Sequence, residues 1–396
     1  MPEEQDRRRA ALAQSIGPMI SVTIDSPNPD IGSQWDDLVQ RASSNVFMNP
    51  AALKAACDTN FAKIQMLLAW EQGAGPRKLV GVWAFRLRKV APFWPVILEG
   101  LPYNYAFVCS PVVDPAYIDE VIPAFFAAIE ESRSLPNVVS LHSLDAECPS
   151  YAAMLKELAG RGVTPLMLSE NARPFATKES GLKRSGSTRK KLRQDWNRVS
   201  ALGTVNVVND RTAAAAEQAF ESFLALEKAS WKGAQGTALL SDPRDAAFVR
   251  RLFQGLAAER NASVALLRVD GEAIAAQVLM YCGATAYTWK TAFNAEYSKY
   301  SPGALLIDKV TDELFAGPDI LAINSCAAEG SFMAQLWAGR RTMVDMLVDV
   351  GAKKSLGYRM EAGRQLTYQG LRNLRDRLRS RPRAPAPKKL GMASPQ

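Results

Sequence analysis

The feature that most restricts how this chain can fold is a repeat. The segment HSLDAECPSYAAML, which begins at His142, and the segment NSCAAEGSFMAQLW, which begins at Asn324, align with one inserted residue. Ser143 falls opposite Ser325, Ala146 opposite Ala328, Glu147 opposite Glu329, Ser150 opposite Ser331 and Leu155 opposite Leu336. Each segment lies where a strand pattern gives way to a helix pattern, so chance likeness between two such junctions is the competing explanation. The order of the surrounding elements favours a true repeat.

In the first half, period-2 patterns at Ser21–Asp25, Lys63–Trp70, Lys78–Lys89 and Asn137–Leu144 predict strands, with another near Thr164–Leu168. Helical patterns fall at Trp35–Arg41, Pro50–Asp58, Tyr117–Ser132 and Tyr151–Ala159. Between them, Trp94–Val113 is rich in proline and aromatics and reads as short strands joined by turns. The second half repeats the order. Its strands are Thr204–Val208, Ser263–Val269, Glu272–Cys282, Asp319–Ser325 and Thr342–Val350, and its helices Ala213–Ala229, Arg244–Arg260, Ala304–Ala316 and Phe332–Trp337. Asp270-Gly271 is a hairpin signal. Two copies of a β-α-α-β-β-β-α-β-α-β unit follow: a mixed α/β (α+β) fold, each copy a central sheet flanked by helices. The expected organisation is a leader at 1–18, a first domain at 19–182, a basic linker helix at 183–203, a second domain at 204–360, and a basic helix with a disordered Arg- and Pro-rich tail at 361–396.

The net charge of +8 suggests a nucleic-acid partner until it is located. Eight basic residues and one acid, Asp376, lie between Arg372 and Lys389; seven basic residues and one acid, Asp195, lie between Lys183 and Arg198. The rest of the chain is mildly acidic. The basic helix can be a solvated connector, a contact for an anionic substrate or a nucleic-acid surface, and it lacks the interleaved aromatics of single-strand binders. An anionic membrane surface could attract the tail. Five scattered cysteines without C-x-x-C spacing, no signal-peptide pattern and no membrane-spanning run point to a reducing, cytoplasmic setting without a metal site.

The stretch Thr285–Lys309, TAYTWKTAFNAEYSKYSPGALLIDK, is the expected working centre. Tyr287, Trp289 and Thr291 favour a strand, and Pro302 with Gly303 and Ala304 opens a helix whose unpaired N–H groups can hold a phosphate. An ordinary strand-to-helix turn is the plain alternative.

The repeated unit resembles the GNAT acyltransferase fold, and two copies in tandem resemble Fem-type aminoacyltransferases. More narrowly, LEKASWKGAQGTAL from Leu226, DGEAIAAQVLMYCGATAYTWKTAFN from Asp270, YSKYSPGALL from Tyr297 and NSCAAEGSFMAQLWAGRR from Asn324 resemble the CelD/BcsL-like family associated with cellulose biosynthesis. The resemblance covers Val205–Val350 by motif and the first half by architecture. It implies acyl transfer, with acetyl-CoA or another acyl-CoA as donor, lying where the strands Ala286–Asn294 and Asp319–Ser325 splay. The cofactor residues so implied are Trp289, Lys290, Tyr300, Ser301, Gly303 and Ala304. The acceptor residues are Trp231, Lys232, Tyr297, Ser325, Trp337 and Arg340. The family's R/Q-x-x-G-x-G/A phosphate loop is absent in that form; Tyr297 and Tyr300 can instead contact substrate.

Acyl transfer to an amine needs a base, an oxyanion donor and an acid for the leaving group. Glu227, a helical turn from Trp231 and expected to share its face, is one candidate base and Glu329 the other, with a helix-dipole role as the alternative for Glu329. Asn324, where the family often has Asp, can orient a substrate but not remove a proton. His142, the only histidine, reads as structural, and Cys326 as a buried thiol. Lys232 and Lys290 are expected to meet phosphate or an acidic acceptor, or else to be solvated. Arg340 and Arg341 could hold an anion. The expected partner is a small-molecule or saccharide acceptor, with an exopolysaccharide by analogy. A non-catalytic scaffold with a decayed CoA site and a transferase using charged transfer RNA are the alternatives.

Overall fold

The computed structural model describes residues 19–379, except 28, 29, 74, 181, 184, 185 and 352. The leader 1–18 and the tail from Ser380 lie outside the described residues. The first half runs β1 (Met19–Asp25), helices Gly32–Val39 and Pro50–Asp58, β2 (Ile64–Gln72), β3 (Lys78–Arg88), β4 (Ile97–Glu99), β5 (Val112–Val113), helix Ile118–Glu131, β6 (Val138–Asp145), helix Pro149–Gly160 and β7 (Leu166–Thr177). Helix Ser187–Ser200 joins it to β8 (Val205–Val208), helices Ala213–Ala229, Trp231–Ala234 and Pro243–Ala258, β9 (Ala262–Val269), β10 (Glu272–Cys282), β11 (Thr285–Phe293), helix Pro302–Ala316, β12 (Ala322–Asn324), the short helix Met333–Leu336 and β13 (Arg340–Asp349). A helix at Leu356–Arg379 follows. Both halves have the predicted element order apart from β5, a second short strand in the 94–113 stretch, and the short helix Trp231–Ala234.

Local chemistry explains the boundaries. Asn49 and Asp242 cap the helices that open with Pro50 and Pro243, each side chain accepting from a first-turn N–H. Asp270 and Gly271 both take positive φ, as a two-residue hairpin between β9 and β10 requires. In helix Ile118–Glu131 the face Val121, Ile122, Phe125, Phe126 and Ile129 is buried against the sheet, as its spacing predicts.

The strands form one sheet in the order β1-β2-β3-β4-β6-β13-β7-β12-β11-β10-β9-β8, with β5 on β3. β13, which the sequence assigns to the second domain, lies between β6 and β7 of the first. Leu347 pairs with Ser140 on one side and Leu166 on the other. β7 in turn reaches across to β12 through Phe175–Thr177. The expected boundary at 183–203 therefore does not separate two sheets, because the halves exchange a strand. Each half contains one parallel pair: β4 with β6 at Leu98↔Val139, and β11 with β12 at Thr285↔Ala322.

The terminal helix is fastened to the first half by Glu361, which is 0% exposed. Its carboxylate accepts from Arg88 Nη2 at 2.7 Å, Arg364 Nη2 at 2.6 Å and Gln365 Nε2 at 2.8 Å. Burial pushes its pKa up, but the hydrogen bonds from Arg364, Gln365 and Arg88 prevail and bring it down from 4.5 to about 2. The carboxylate thus stabilises the fold above pH 4.5 and loses that contribution as pH falls toward 2, on the order of 3 kcal/mol in all. Acid titration followed by hydrogen exchange should loosen this helix progressively below pH 4.5 and release it by about pH 2, and Glu361→Gln should release it already at neutral pH. Equal protection of the helix at neutral pH and at about pH 2 would refute the linkage. Among the described residues no helix is long and apolar enough to cross a membrane.

Candidate active site

β11 is a strand with one edge half free. It pairs with β12 only from Thr285 to Tyr287, and its register with β10 shifts between Val278 and Leu279, leaving Trp289 without a partner. Such a bulge twists a strand away from its neighbour. At the fork Thr288 Oγ1 donates to the Ser325 carbonyl at 2.9 Å. Beyond Phe293, Asn294 caps a 3-10 turn, Ala295–Tyr300, and Ser301 adopts φ +52° before the helix begins at Pro302. Gly303 is buried here: a Cβ at this position would lie 3.4 Å from Thr291 Cγ2. A methyl group there would make ordinary van der Waals contact with β11, so the helix entrance rests on the strand without needing glycine for space.

On that strand the structure assembles charged groups from three other segments. Glu227 is 1% exposed and accepts from Lys232 Nζ and from the backbone N–H of Leu239, both at 2.9 Å. Lys232 Nζ also reaches the Thr291 carbonyl at 3.4 Å. The loop after Ala229 is thus wound around one carboxylate. Gly233 permits the winding, since a Cβ there would come within 1.7 Å of the Lys228 carbonyl oxygen. Helix Ala213–Ala229 ends before Trp231, which is 60% exposed, so Glu227 and Trp231 do not share a face.

Lys290 departs furthest from expectation. Its ammonium lies 4.5 Å from the centre of the Tyr105 ring and 5.5 Å from that of Trp289, and the residue is partly buried. Burial lowers its pKa, Glu227 raises it and Lys232 lowers it, for a result of about 8. Tyr105 comes from the first half, on the loop between β4 and β5. Its hydroxyl donates to Asp245, and its carbonyl accepts from Trp289 Nε1 at 2.9 Å. Trp289, expected at the cofactor, is 3% exposed and braces the two halves. Sequence reasoning missed Tyr105 and Asp245. The aromatic run Tyr103–Phe107 was the available signal, but only the fold brings it to β11.

The basic helix Ser187–Ser200 covers the helix entrance. Leu192 and Val199 are buried in a second hydrophobic core, the one that holds Leu305, Leu306 and Ile307; Arg189 pairs with Asp308, and Lys309 lies 4.5 Å over Trp196. Lys191 Nζ donates to Ser301 Oγ at 2.8 Å and pairs with Asp195. Arg198 and Lys299 each sit 5.0 Å from the centre of the Tyr300 ring. Three cations therefore border the entrance, with Tyr300 buried between them and Tyr297 and Ala304 partly buried alongside.

The NSCAAEG segment lies on the other side of the fork. Asn324 is buried, and its side-chain oxygen caps the Cys326 N–H at 3.0 Å. Ser325 is buried with its hydroxyl turned back on Ala327. Burial pushes the Cys326 thiol up to about 12, which makes it a poor nucleophile. Glu329 is half exposed and paired with Arg340 at 2.7 Å, and Arg341 pairs with Asp145 at 2.9 Å. Trp337, expected at an acceptor, is instead 0% exposed in the second core and donates to Thr311 Oγ1 at 3.2 Å, so it packs.

Residues 186–319 match the family described as Acetyltransferase (GNAT) domain. No curated protein matches the chain. The solved structure of FemX has a TM-score of 0.57 at 11% identity, over 80% of this chain and 95% of that one. L-PGS from Bacillus licheniformis has a TM-score of 0.51 at 13% identity, over 85% and 96%. A tandem GNAT protein from the clavulanic acid biosynthesis pathway has a TM-score of 0.44 at 12% identity, over 84% and 99%. The chain thus has a GNAT-like mixed α/β fold and carries an acetyltransferase-type domain.

Proposed function

We propose that the chain is an acyltransferase that moves an acyl group, acetyl in the first instance, from acyl-CoA to an amine or hydroxyl acceptor at the β11 fork. One observation supports this reading most: the span that matches the acetyltransferase domain contains the basic helix, the Glu227–Lys232 pair, Lys290 and the entrance at Pro302. The donor's diphosphate would rest at that entrance beside Lys191, Arg198 and Lys299, where a helix N-terminus adds its own positive end. The acceptor would meet Lys290.

In this mechanism neutral Lys290 takes the acceptor's proton as its nitrogen or oxygen attacks the thioester carbonyl. The carbonyl oxygen gains negative charge, which N–H groups on the open edge of β11 can stabilise. Collapse expels the thiolate, which the newly charged Lys290 can protonate. Glu227 holds Lys232 and the loop in place; with its charge already paired, it serves as a positioning residue. A saccharide acceptor, with a link to exopolysaccharide, rests on the CelD/BcsL-like resemblance.

Thermal shift of the full chain with acetyl-CoA, with charged transfer RNA and with neither tests the donor. Acetyl-CoA at about 100 times Kd should stabilise by roughly 2.7 kcal/mol. Lys191→Glu should weaken its binding about tenfold. A response to charged transfer RNA alone would move the reading to aminoacyl transfer, and a response to neither would leave a scaffold.

A further inference from the structure

A separate cleft, ≈ 1050 Å³, lies where the exchanged strand crosses the first half. Its walls come from β6, β7, β13 and the loop after β12, and the terminal helix forms one rim. Arg173 of β7 stands in it at 8% exposure. Its guanidinium donates to the Phe107 carbonyl at 2.7 Å and to Ser143 Oγ at 3.3 Å. Among the described residues no carboxylate lies within ion-pair distance of it.

Several neighbouring charges are already engaged, while Glu170 and Arg372 also line the cleft. Arg341 is paired with Asp145, and Arg340 with Glu329. Asp345 accepts from the Ser143 N–H at 2.7 Å and from Ser169 Oγ at 2.8 Å. A guanidinium buried against two neutral oxygens is costly unless a counter-charge joins it. Two of its five N–H groups have partners, so the planar fork keeps donors for an oxyanion.

We propose that this cleft binds an oxyanion, a phosphate or carboxylate group of a small molecule, with Arg173 as its anchor. The matched domain does not include it, and it meets the β11 fork only through the loop 326–330 on the fork's far side. The loop gripped at Phe107 also carries Tyr105 over Lys290, so the two sites share a wall.

The single histidine provides the test. His142 lines the same cleft, with Nδ1 3.8 Å from Asp345 Oδ2. The full chain, labelled at histidine, is titrated with inorganic phosphate, with citrate and with chloride at constant ionic strength and pH, following the imidazole resonances. A saturable shift with phosphate or citrate but not chloride supports the site, and the arm that saturates identifies the oxyanion. Arg173→Lys, which keeps a charge but loses the fork, should weaken the response at least tenfold. Should that variant fail to fold, Ala328→Trp, which fills the cleft from its loop, should abolish the response in a chain of unchanged circular dichroism. A shift that is linear, equal in chloride, or intact in a folded variant overturns the proposal.

Discussion

Lys290→Met should lower kcat by about 10²–10⁴-fold, the usual contribution of a general base, and leave the melting temperature undiminished. The stability half of this expectation follows from geometry. Lys290 forms no ion pair among the described residues and is packed between two aromatic rings, so methionine keeps the stem and removes an ammonium that burial disfavours. The kinetic half has a pH signature. A base must be neutral to act, so kcat/KM of the unmodified chain should rise with pH through about 8, and that limb should vanish in the variant. Lys290→Arg, always charged, should be as inactive as the methionine variant. Glu227→Gln separates the two candidate bases. It keeps the bond from Leu239 and loosens Lys232, so a loss of about tenfold is expected; a loss as deep as that of Lys290→Met would make Glu227 the base. An unchanged pH limb in Lys290→Met would end the lysine assignment.

The second large effect concerns the exchanged strand. Leu347→Asp should destabilise the chain by more than about 4 kcal/mol, since it places a carboxylate without a partner inside a packed sheet. Leu347 is 0% exposed, sits between β6 and β7, and packs with Ile97, Val138 and Tyr358. The damage should therefore fall on the first half. Hydrogen exchange should show protection lost in Val138–Asp145 and Leu166–Thr177 and in the terminal helix, with Glu272–Cys282 the last to open. Protection lost in β9–β11 while β6 stays closed would mean that the two halves fold as the sequence boundaries suggest.

β7 shows why part of the fold was hard to read. Its stretch Ser169–Thr177 is polar and contains Pro174, and strand patterning stopped near Leu168. It is extended because β13 and β12 pair with it, and a run of exposed residues, Glu170–Ala172, is followed by a run of buried ones, Arg173–Ala176, so no alternating hydrophobic period marked it. Trp337 and Trp289 mislead in the opposite sense. Aromatic residues in a motif suggest ligand contact, yet both have their ring N–H satisfied inside the protein.

Periodicity, caps and the Asp270-Gly271 turn determined the elements and their doubled order, because these are local effects of side-chain spacing and backbone preference. The stretch Thr285–Lys309 was likewise legible as strand, turn and helix. Strand exchange, the contact of Lys290 with Tyr105 and the burial of Arg173 without a direct ion pair were decided only by tertiary structure. Each depends on groups far apart in the chain meeting in a low-dielectric interior, where the environment of a charge, and so its chemistry, is set by its neighbours in space.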